Sequence, residues 1–189
     1  MNKDSGNTTL VIGGCRSGKS RYALDAANRT AKDNKIYLAT SVPTDPEMEN
    51  RVARHQAERG PDWRTVEEPV LIHEAIRGVQ DSASVVLVDC LTLWTSNLLF
   101  RGADEAGVMA AVDKLSAVLV QVPCPVYLVT NEVGYGIVPE NSLARQFRDM
   151  AGLVNQRVAA VADRVILTVA GIDVQIKPNT LPDLPRGDL

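Results

Sequence analysis

Eight consecutive residues near the N-terminus have the spacing of a phosphate-binding loop. They are Gly13, Gly14, Cys15, Arg16, Ser17, Gly18, Lys19 and Ser20, and they fit the pattern G-x-x-x-x-G-K-[ST]. Glycines let successive backbone N–H groups turn toward an anion, and the helix expected next adds the positive end of its dipole. The pattern predicts that Lys19 contacts the β- and γ-phosphates of a nucleoside triphosphate. It also predicts that the Ser20 hydroxyl binds Mg²⁺.

A carboxylate at the end of an apolar run offers a second metal ligand. The run Val85-Val86-Leu87-Val88 ends at Asp89, and an aspartate placed beside such a phosphate loop binds the metal directly or through water. Many strands end in Asp, so the pattern gains its meaning only together with the loop. Gly13, Thr40, Asp89 and Asn131 each end or follow an expected strand and are therefore expected to line one crevice.

One of the two histidines lies between arginines at helical spacing. Arg51, His55 and Arg59 are separated by four residues each, so a helix places them on one face. Guanidinium groups favour a neutral imidazole and bind phosphate oxygens, and a neutral imidazole beside a phosphate is a nucleophile. A solvated basic face with an exposed histidine explains the same pattern, and the spacing alone leaves both interpretations open.

The rest of the chain alternates short β-branched runs with longer amphipathic stretches. The runs predict strands at Thr8–Ile12, Lys35–Ala39, Val85–Asp89, Val126–Thr130, Val165–Val169 and Ile172–Ile176, the last two forming a hairpin through Ala170 and Gly171. The stretches predict helices at Gly18–Arg29, Glu47–Arg59, Val70–Val79, Leu91–Arg101, Glu105–Val122 and Ser142–Ala162. Alternation of this kind indicates an α/β fold with a mostly parallel sheet and helices on both faces.

Length and composition fit a single domain and exclude several classes of protein. The chain has 189 residues, 45% of them hydrophobic, and a net charge of −3, so we expect one nucleotide-binding domain over residues 1–189 with flexible ends at 1–7 and 178–189. No basic run points to nucleic acid. No apolar stretch reaches membrane-spanning length. The polar N-terminus favours the cytoplasm. The three dispersed cysteines argue against a disulfide framework.

Several blocks taken together resemble one family. They are the loop 13–20, Ala39-Thr40-Ser41, the run from Arg51 through His55 and Arg59 to Trp63-Arg64-Thr65-Val66-Glu67, Leu98-Leu99-Phe100, Thr130–Asn141, Ala144–Asp149 and Asn155-Gln156-Arg157. These blocks are similar to those of the bifunctional adenosylcobinamide kinase / adenosylcobinamide-phosphate guanylyltransferase family. The resemblance covers about Leu10 to Lys177. The block Asn-Glu-Val-Gly-x-Gly-Ile-Val-Pro-Glu-Asn is its most specific part.

The resemblance implies two reactions and a set of site residues. The γ-phosphoryl group of ATP or GTP passes to adenosylcobinamide, and GMP then passes from GTP through a guanylyl-histidine to adenosylcobinamide phosphate. His55 matches the guanylylated histidine. Residues matching the family's nucleotide contacts are Ala39, Thr40, Ser41, Gln56, Ala57, Glu58, Arg59, Glu67 and Asp89. The family also implies a RecA-like P-loop fold and a homotrimer. The loop 131–136 is expected either above the substrate or against a neighbouring subunit.

Two rival functions remain at this point. One is a P-loop kinase of another small molecule in which His55 is incidental. The other is a nucleotide-switched binding protein, which the sequence disfavours because no Asn/Thr-Lys-x-Asp motif for reading guanine is present.

Overall fold

A computed structural model describes residues 7–42 and 59–178. Its strands are β1 (Thr8–Gly13), β2 (Lys35–Ala39), β3 (Trp63–Glu67), β4 (Val85–Asp89), β5 (Val126–Asn131), β6 (Arg164–Val169) and β7 (Ile172–Lys177). Its helices are α1 (Lys19–Thr30), α2 (Ile72–Val79), α3 (Leu91–Phe100), α4 (Glu105–Leu119) and α5 (Ser142–Val161). Within these ranges no helix is both long and apolar enough to cross a membrane.

The seven strands form one sheet in the order β3-β2-β4-β5-β1-β6-β7. All neighbouring strands are parallel except β6 and β7, which pair as an antiparallel hairpin. In this order β5 lies between β1, which leads into the phosphate loop, and β4, which ends at Asp89. The carboxyl ends of six parallel strands therefore meet at one edge of the sheet, where ligands of open α/β sheets bind.

Helices cover both faces of the sheet because consecutive strand residues point to opposite sides. On one face, Val11, Leu87 and Val129 pack with the small residues Ala23 and Ala27 of α1. The opposite face carries the larger core, to which α2, α3, α4 and α5 each contribute buried residues. Near-continuous burial along β1, β2, β4 and β5 is typical of parallel strands covered on both sides.

The structure confirms the α/β fold, the parallel sheet and the 170–171 hairpin. β3 is a further strand that the sequence pattern did not predict. Its burial is incomplete and it carries Arg64 and Glu67 at exposed positions, as an edge strand does. The helix expected at Glu47–Arg59 lies outside the described residues except for Arg59.

A buried amide on α5 holds the end of β5 in place. Asn155 is 6% exposed; its Nδ2 donates to the Asn131 carbonyl at 3.1 Å, and its Oδ1 accepts from the Thr130 hydroxyl at 2.7 Å. The helix that carries it begins at Asn141, whose side chain accepts a hydrogen bond from the Ala144 N–H. Asn155 therefore ties α5 to the carboxyl edge of the sheet.

Replacing Asn155 with Ala should destabilise the fold. The substitution removes a partner from the part-buried Asn131 carbonyl and from the buried Thr130 hydroxyl, which costs about 1–3 kcal/mol. Urea unfolding followed by circular dichroism measures the loss. Gln156 is the matched control because it is exposed on the next position of the same helix, and Gln156→Ala should change stability by less than about 0.5 kcal/mol. Equal stability of the two variants would contradict the role given to Asn155.

Candidate nucleotide-binding site

The phosphate loop is shaped by two glycines with different roles. Gly13 ends β1 so close to its neighbours that a methyl group on it would lie 2.5 Å from the Ser17 Oγ. Gly18 has φ 103° and precedes the first residue of α1, a left-handed conformation that side chains disfavour. Glycine at these positions lets the backbone fold tightly around the loop and then enter the helix.

The loop is also anchored from the side by the β6–β7 hairpin. The Gly171 N–H donates to the Ser17 carbonyl at 2.8 Å, and the Ser17 N–H donates to the Gly14 carbonyl at 3.3 Å. Ser17 is buried, and its hydroxyl has no hydrogen-bond partner among the described residues. Gly14, Cys15 and Arg16 are exposed. Hydrogen bonds therefore hold the loop through Ser17, while its exposed residues remain accessible to an anion.

Lys19 and Ser20 occupy the first turn of α1. The Lys19 ammonium donates to the Gly14 carbonyl at 3.0 Å, which places the charge over the loop. Ser20 is half-buried and follows Lys19 at the same helix end. Cation, hydroxyl and helix N-terminus converge, and this combination binds the phosphates of a nucleotide.

Strand register brings three further predicted residues onto the same edge. Ala39 pairs with Glu67 of β3 on one side and with Asp89 of β4 on the other. On the far side of β4, Gly13 pairs with Asn131. The Asn131 Oδ1 is buried and has no partner among the described residues. Gly13, Asn131 and Asp89 therefore end neighbouring strands at one edge, with Asn131 between the phosphate loop and the Asp89 strand. Thr40, also expected to line a crevice there, is instead fully buried.

Thr40 holds the ends of β2 and β4 together. It is fully buried; its hydroxyl donates to the Cys90 carbonyl and accepts from the Cys90 N–H, both at 2.8 Å. The Asn97 side chain of α3 donates to the Thr40 carbonyl at 2.8 Å. Burial raises the pKa of the Cys90 thiol to about 11, so this cysteine stays neutral. Of the predicted residues 39–41, Ser41 is the one with a partly exposed side chain.

Tyr37 connects Asp89 with Arg59. Its hydroxyl donates to the Asp89 Oδ2 at 3.0 Å, and the Arg59 guanidinium carbon lies 3.4 Å from the centre of its ring. Burial, followed by the negative charge of Asp89, holds the pKa of Tyr37 well above its usual value. The phenol therefore remains protonated, and able to donate, at neutral pH. Sequence patterns did not indicate this residue, because the contact depends on the pairing of β2 with β4.

Ser20 and Asp89 form a donor set that fits Mg²⁺. Hydroxyl and carboxylate oxygens are the hard ligands this ion prefers, and it commonly keeps waters and phosphate oxygens as its remaining ligands. Among residues 7–42 and 59–178 no group of three His, Cys, Asp or Glu side chains is placed to hold a metal by itself.

A loop of ten residues, 132–141, rises beside this edge and is held by arginines of α5. Arg148 donates to the Gly134 carbonyl at 2.6 Å and to the Gly136 carbonyl at 3.4 Å. Arg145 donates to the carbonyls of Pro139 and Glu140. The apolar residues between these anchors are exposed, namely Tyr135 (85%), Ile137 (97%) and Val138 (63%). The loop is therefore a braced apolar surface.

The structure thus brings together the loop 13–20, Ala39, Thr40, Ser41, Arg59, Glu67 and Asp89. His55, Arg51, Gln56, Ala57 and Glu58 lie outside the described residues.

Replacing Lys19 with Ala should weaken the binding of ATP and GTP alike. The lost charge-assisted hydrogen bond to phosphate is worth about 1.5–3 kcal/mol, so affinity should fall about 10- to 100-fold. Fluorescence titration with a labelled triphosphate measures it. Lys32 lies exposed just beyond α1, and Lys32→Ala serves as the control with unchanged affinity. Unchanged affinity of Lys19→Ala would contradict the assignment of the loop.

The chain is similar to known proteins over nearly its whole length. A family model described as cobinamide kinase / cobinamide phosphate guanyltransferase matches residues 9–176. The bifunctional adenosylcobalamin biosynthesis protein CobU of Escherichia coli (strain K12) is 44% identical over 180 residues, covering 89% of this chain and 98% of that protein. The corresponding CobP of Pseudomonas aeruginosa is 39% identical over 175 residues, covering 91% and 98%.

A solved structure supports the fold. Flagellar accessory protein FlaH from Methanocaldococcus jannaschii superposes with a TM-score of 0.50 at 14% identity, over 92% of this chain and 80% of that one. At this identity the likeness concerns the fold alone. With the family model spanning residues 9–176, the chain belongs to the cobinamide kinase / cobinamide phosphate guanyltransferase family.

Proposed function

We propose that this chain carries out both reactions of its family at the carboxyl edge of the sheet, with His55 as the residue that is guanylylated. Membership of the family makes the chain a bifunctional enzyme of adenosylcobalamin biosynthesis, a cobinamide kinase and a cobinamide phosphate guanylyltransferase that uses ATP or GTP. The assignment of individual residues to the two reactions is the proposal.

In the kinase reaction the phosphate loop holds the triphosphate. The loop N–H groups and the N-terminus of α1 bind the β-phosphate, and Lys19 bridges the β- and γ-phosphates. The hydroxyl of adenosylcobinamide attacks the γ-phosphorus, its proton is lost, and the nucleoside diphosphate leaves. Mg²⁺ bound by Ser20 and Asp89 would offset the charge that develops on the phosphate oxygens.

In the guanylyltransferase reaction the neutral imidazole of His55 attacks the α-phosphorus of GTP. A nitrogen–phosphorus bond forms, the bond to the β-phosphate oxygen breaks, and pyrophosphate leaves. A phosphate oxygen of adenosylcobinamide phosphate then attacks the same phosphorus, and the imidazole is released. Covalent catalysis divides one displacement into two in-line steps. Arg51 and Arg59 are the cations proposed to balance the phosphate charge.

The position of Arg59 carries this assignment. Arg59 lies against Tyr37, which contacts Asp89 at the nucleotide edge. His55 precedes Arg59 by four residues, and four residues span at most about 14 Å between Cα atoms. This limit on the separation of the two residues supports the proposal that His55 acts on a nucleotide bound at the carboxyl edge. The contacts proposed for Gln56, Ala57, Glu58 and Glu67 belong to the same region.

The braced loop 132–141 is proposed to contact cobinamide. Its exposed apolar residues suit a large ring system, since sites for such ligands combine apolar surface with a few fixed polar groups. The arginine anchors hold this surface rigid, and rigid loops lose less entropy on binding.

Three further expectations go with the proposal. They are a single nucleotide-binding domain over residues 1–189, a cytoplasmic location and a homotrimer. The exposed β-branched residues Val169, Ile172, Val174 and Ile176 of the β6–β7 hairpin favour association of the chain with further copies, because exposed apolar patches mark interaction surfaces.

Incubation with Mg²⁺ and GTP labelled in its α-phosphate should leave label on the denatured protein. A phosphoramidate on histidine is labile in acid and stable in alkali, which distinguishes it from a phosphoester. His55→Ala should abolish the label yet leave phosphorylation of adenosylcobinamide within about twofold, because the attack on the γ-phosphorus does not use this imidazole. The second histidine, His73, is buried in α2, and His73→Gln is the control that should keep the label.

The outcomes separate the rival functions. Label on the wild type that survives His55→Ala would place the nucleophile elsewhere. Absence of label on the wild type, with kinase activity intact, would leave a small-molecule kinase. Loss of both activities in a folded His55→Ala protein would contradict the division of roles.

Replacing Arg148 with Ala should raise the KM for adenosylcobinamide about tenfold and leave the KM for the triphosphate unchanged. The variant loses the two hydrogen bonds that Arg148 makes to the loop, each worth about 1 kcal/mol, and keeps those of Arg145. Steady-state kinase kinetics with each substrate varied in turn measure the two constants. Arg157 lies on the same helix, where it pairs with Asp113 at 3.6 Å near the surface, so Arg157→Ala is the control. Equal effects on both KM values would contradict a role of the loop in cobinamide binding.

A further inference from the structure

Tyr37 is a buried residue that contacts two oppositely charged residues of the proposed nucleotide site. It is 7% exposed, and it is not among the nucleotide contacts expected from the sequence. Its hydroxyl donates to one oxygen of Asp89, while the face of its ring carries the guanidinium of Arg59. One side chain thus contacts both the carboxylate of Asp89 and the guanidinium of Arg59.

The hydroxyl can reach Asp89 because of the strand register. Tyr37 pairs with Leu87 across β2 and β4, and Asp89 follows Leu87 by two residues on the same face of the sheet. The ring packs against Trp63 edge to face, with centroids 6.4 Å apart at 85°. It also belongs to the buried cluster that includes Ala23 and Ala27 of α1. These contacts restrict the orientation of the Tyr37 side chain and so fix the position of its hydroxyl.

The contact uses one carboxylate oxygen of Asp89. The Tyr37 hydroxyl is bonded to Oδ2, whereas Oδ1 accepts no hydrogen bond from the described residues. A carboxylate held by one oxygen has its rotamer fixed and its other oxygen left for a ligand. Partners of this kind behind a metal ligand commonly change metal affinity 10- to 100-fold when they are removed.

Arg59 stacks on the ring and is not paired with that carboxylate among the described residues. Arg59 is 9% exposed, and its Nη2 donates to the Thr65 hydroxyl at 3.4 Å. No salt bridge joins Arg59 to Asp89 within the described part of the chain. A guanidinium stacked on an aromatic face is stabilised without a carboxylate, so each charge remains available to a different part of a nucleotide.

We infer that Tyr37 is a positioning residue of the nucleotide site, which orients Asp89 toward the metal carried with the nucleotide and holds Arg59 for the phosphates. The inference rests on the role proposed for Asp89. If the inference holds, metal binding and phosphate binding both depend on Tyr37 of β2, in addition to the phosphate loop.

Two variants separate the two contacts. Tyr37→Phe removes the hydroxyl and keeps the ring, so the Mg²⁺ concentration that half-saturates GTP binding should rise about tenfold. Binding of labelled GTP measured in EDTA should stay unchanged in this variant. Tyr37→Leu also removes the ring. It should weaken GTP binding in EDTA as well, because Arg59 loses the aromatic face on which it stacks.

Tyr127→Phe is the matched control. Tyr127 is buried in β5 within the same cluster, and its hydroxyl is bonded to the Thr30 hydroxyl at 2.7 Å rather than to a site residue. This variant should keep the wild-type Mg²⁺ requirement. Electron paramagnetic resonance of Mn²⁺ added with GTP gives an independent readout: Tyr37→Phe should leave more free Mn²⁺ than either the wild type or Tyr127→Phe.

An unchanged metal requirement in Tyr37→Phe, with an unchanged melting temperature, would overturn the inference. In Tyr37→Phe, an equal loss of GTP affinity with and without metal would also overturn it, since that pattern reports general damage to the fold. Asp89→Asn should raise the metal requirement at least as far as Tyr37→Phe, and failure to do so would remove the basis of the inference. None of these measurements requires cobinamide or guanylylation, so they stand or fall separately from the His55 assignment.

Discussion

The site depends first on the parallel pairing of β1 between β5 and β6. This pairing brings the end of β1 so close to the Thr168 backbone and the Ser17 hydroxyl that Gly13 has no room for a side chain. It also sets Asn131 beside Gly13 and, through β5 and β4, fixes where Asp89 stands relative to the phosphate loop. The loop therefore takes its shape from its own glycines, but its position relative to the acidic residue comes from the sheet.

The elements that form the site are connected by hydrogen bonds and contacts that involve neutral groups. Thr40 joins β2 to β4 through the Cys90 backbone, Asn155 joins α5 to β5, and Tyr37 receives both Asp89 and Arg59. The arginines of α5 are charged, but their partners are neutral loop carbonyls. Since direct ion pairs would neutralise the charges that phosphate and metal need, neutral supports keep those charges in place. A site with its groups already oriented loses little energy to reorganisation during reaction.

Features encoded in consecutive residues could be predicted from the sequence. The phosphate loop is a contiguous motif, the buried strands are apolar runs, and the turn at Ala170 and Gly171 follows from its position between two such runs. β3 was missed because it is an edge strand of five residues, of which only Trp63 and Val66 are apolar. Tyr37 was missed for a different reason, because its contact with Asp89 joins residues 52 positions apart through a strand pairing that no local pattern encodes. The arginine anchors of the loop 132–141 have backbone partners, which leave no signature in the side-chain sequence.

Two reactions on one phosphate loop require that two different phosphorus atoms be reached from different directions. In the proposed assignment, the loop N–H groups and Lys19 hold the β-phosphate, which lies between the α- and γ-phosphorus in either reaction, so one phosphate loop serves both. The proposed attacking groups then differ in position: a substrate hydroxyl at the γ-phosphorus, and the His55 imidazole at the α-phosphorus. Tyr37 is placed at the boundary between the two, since Asp89 lies on its hydroxyl side and Arg59, at the end of the segment that bears His55, lies on its ring face. In the proposed site, this single aromatic residue keeps Asp89, on the metal side, and Arg59, on the histidine side, in fixed relation while neither charge cancels the other.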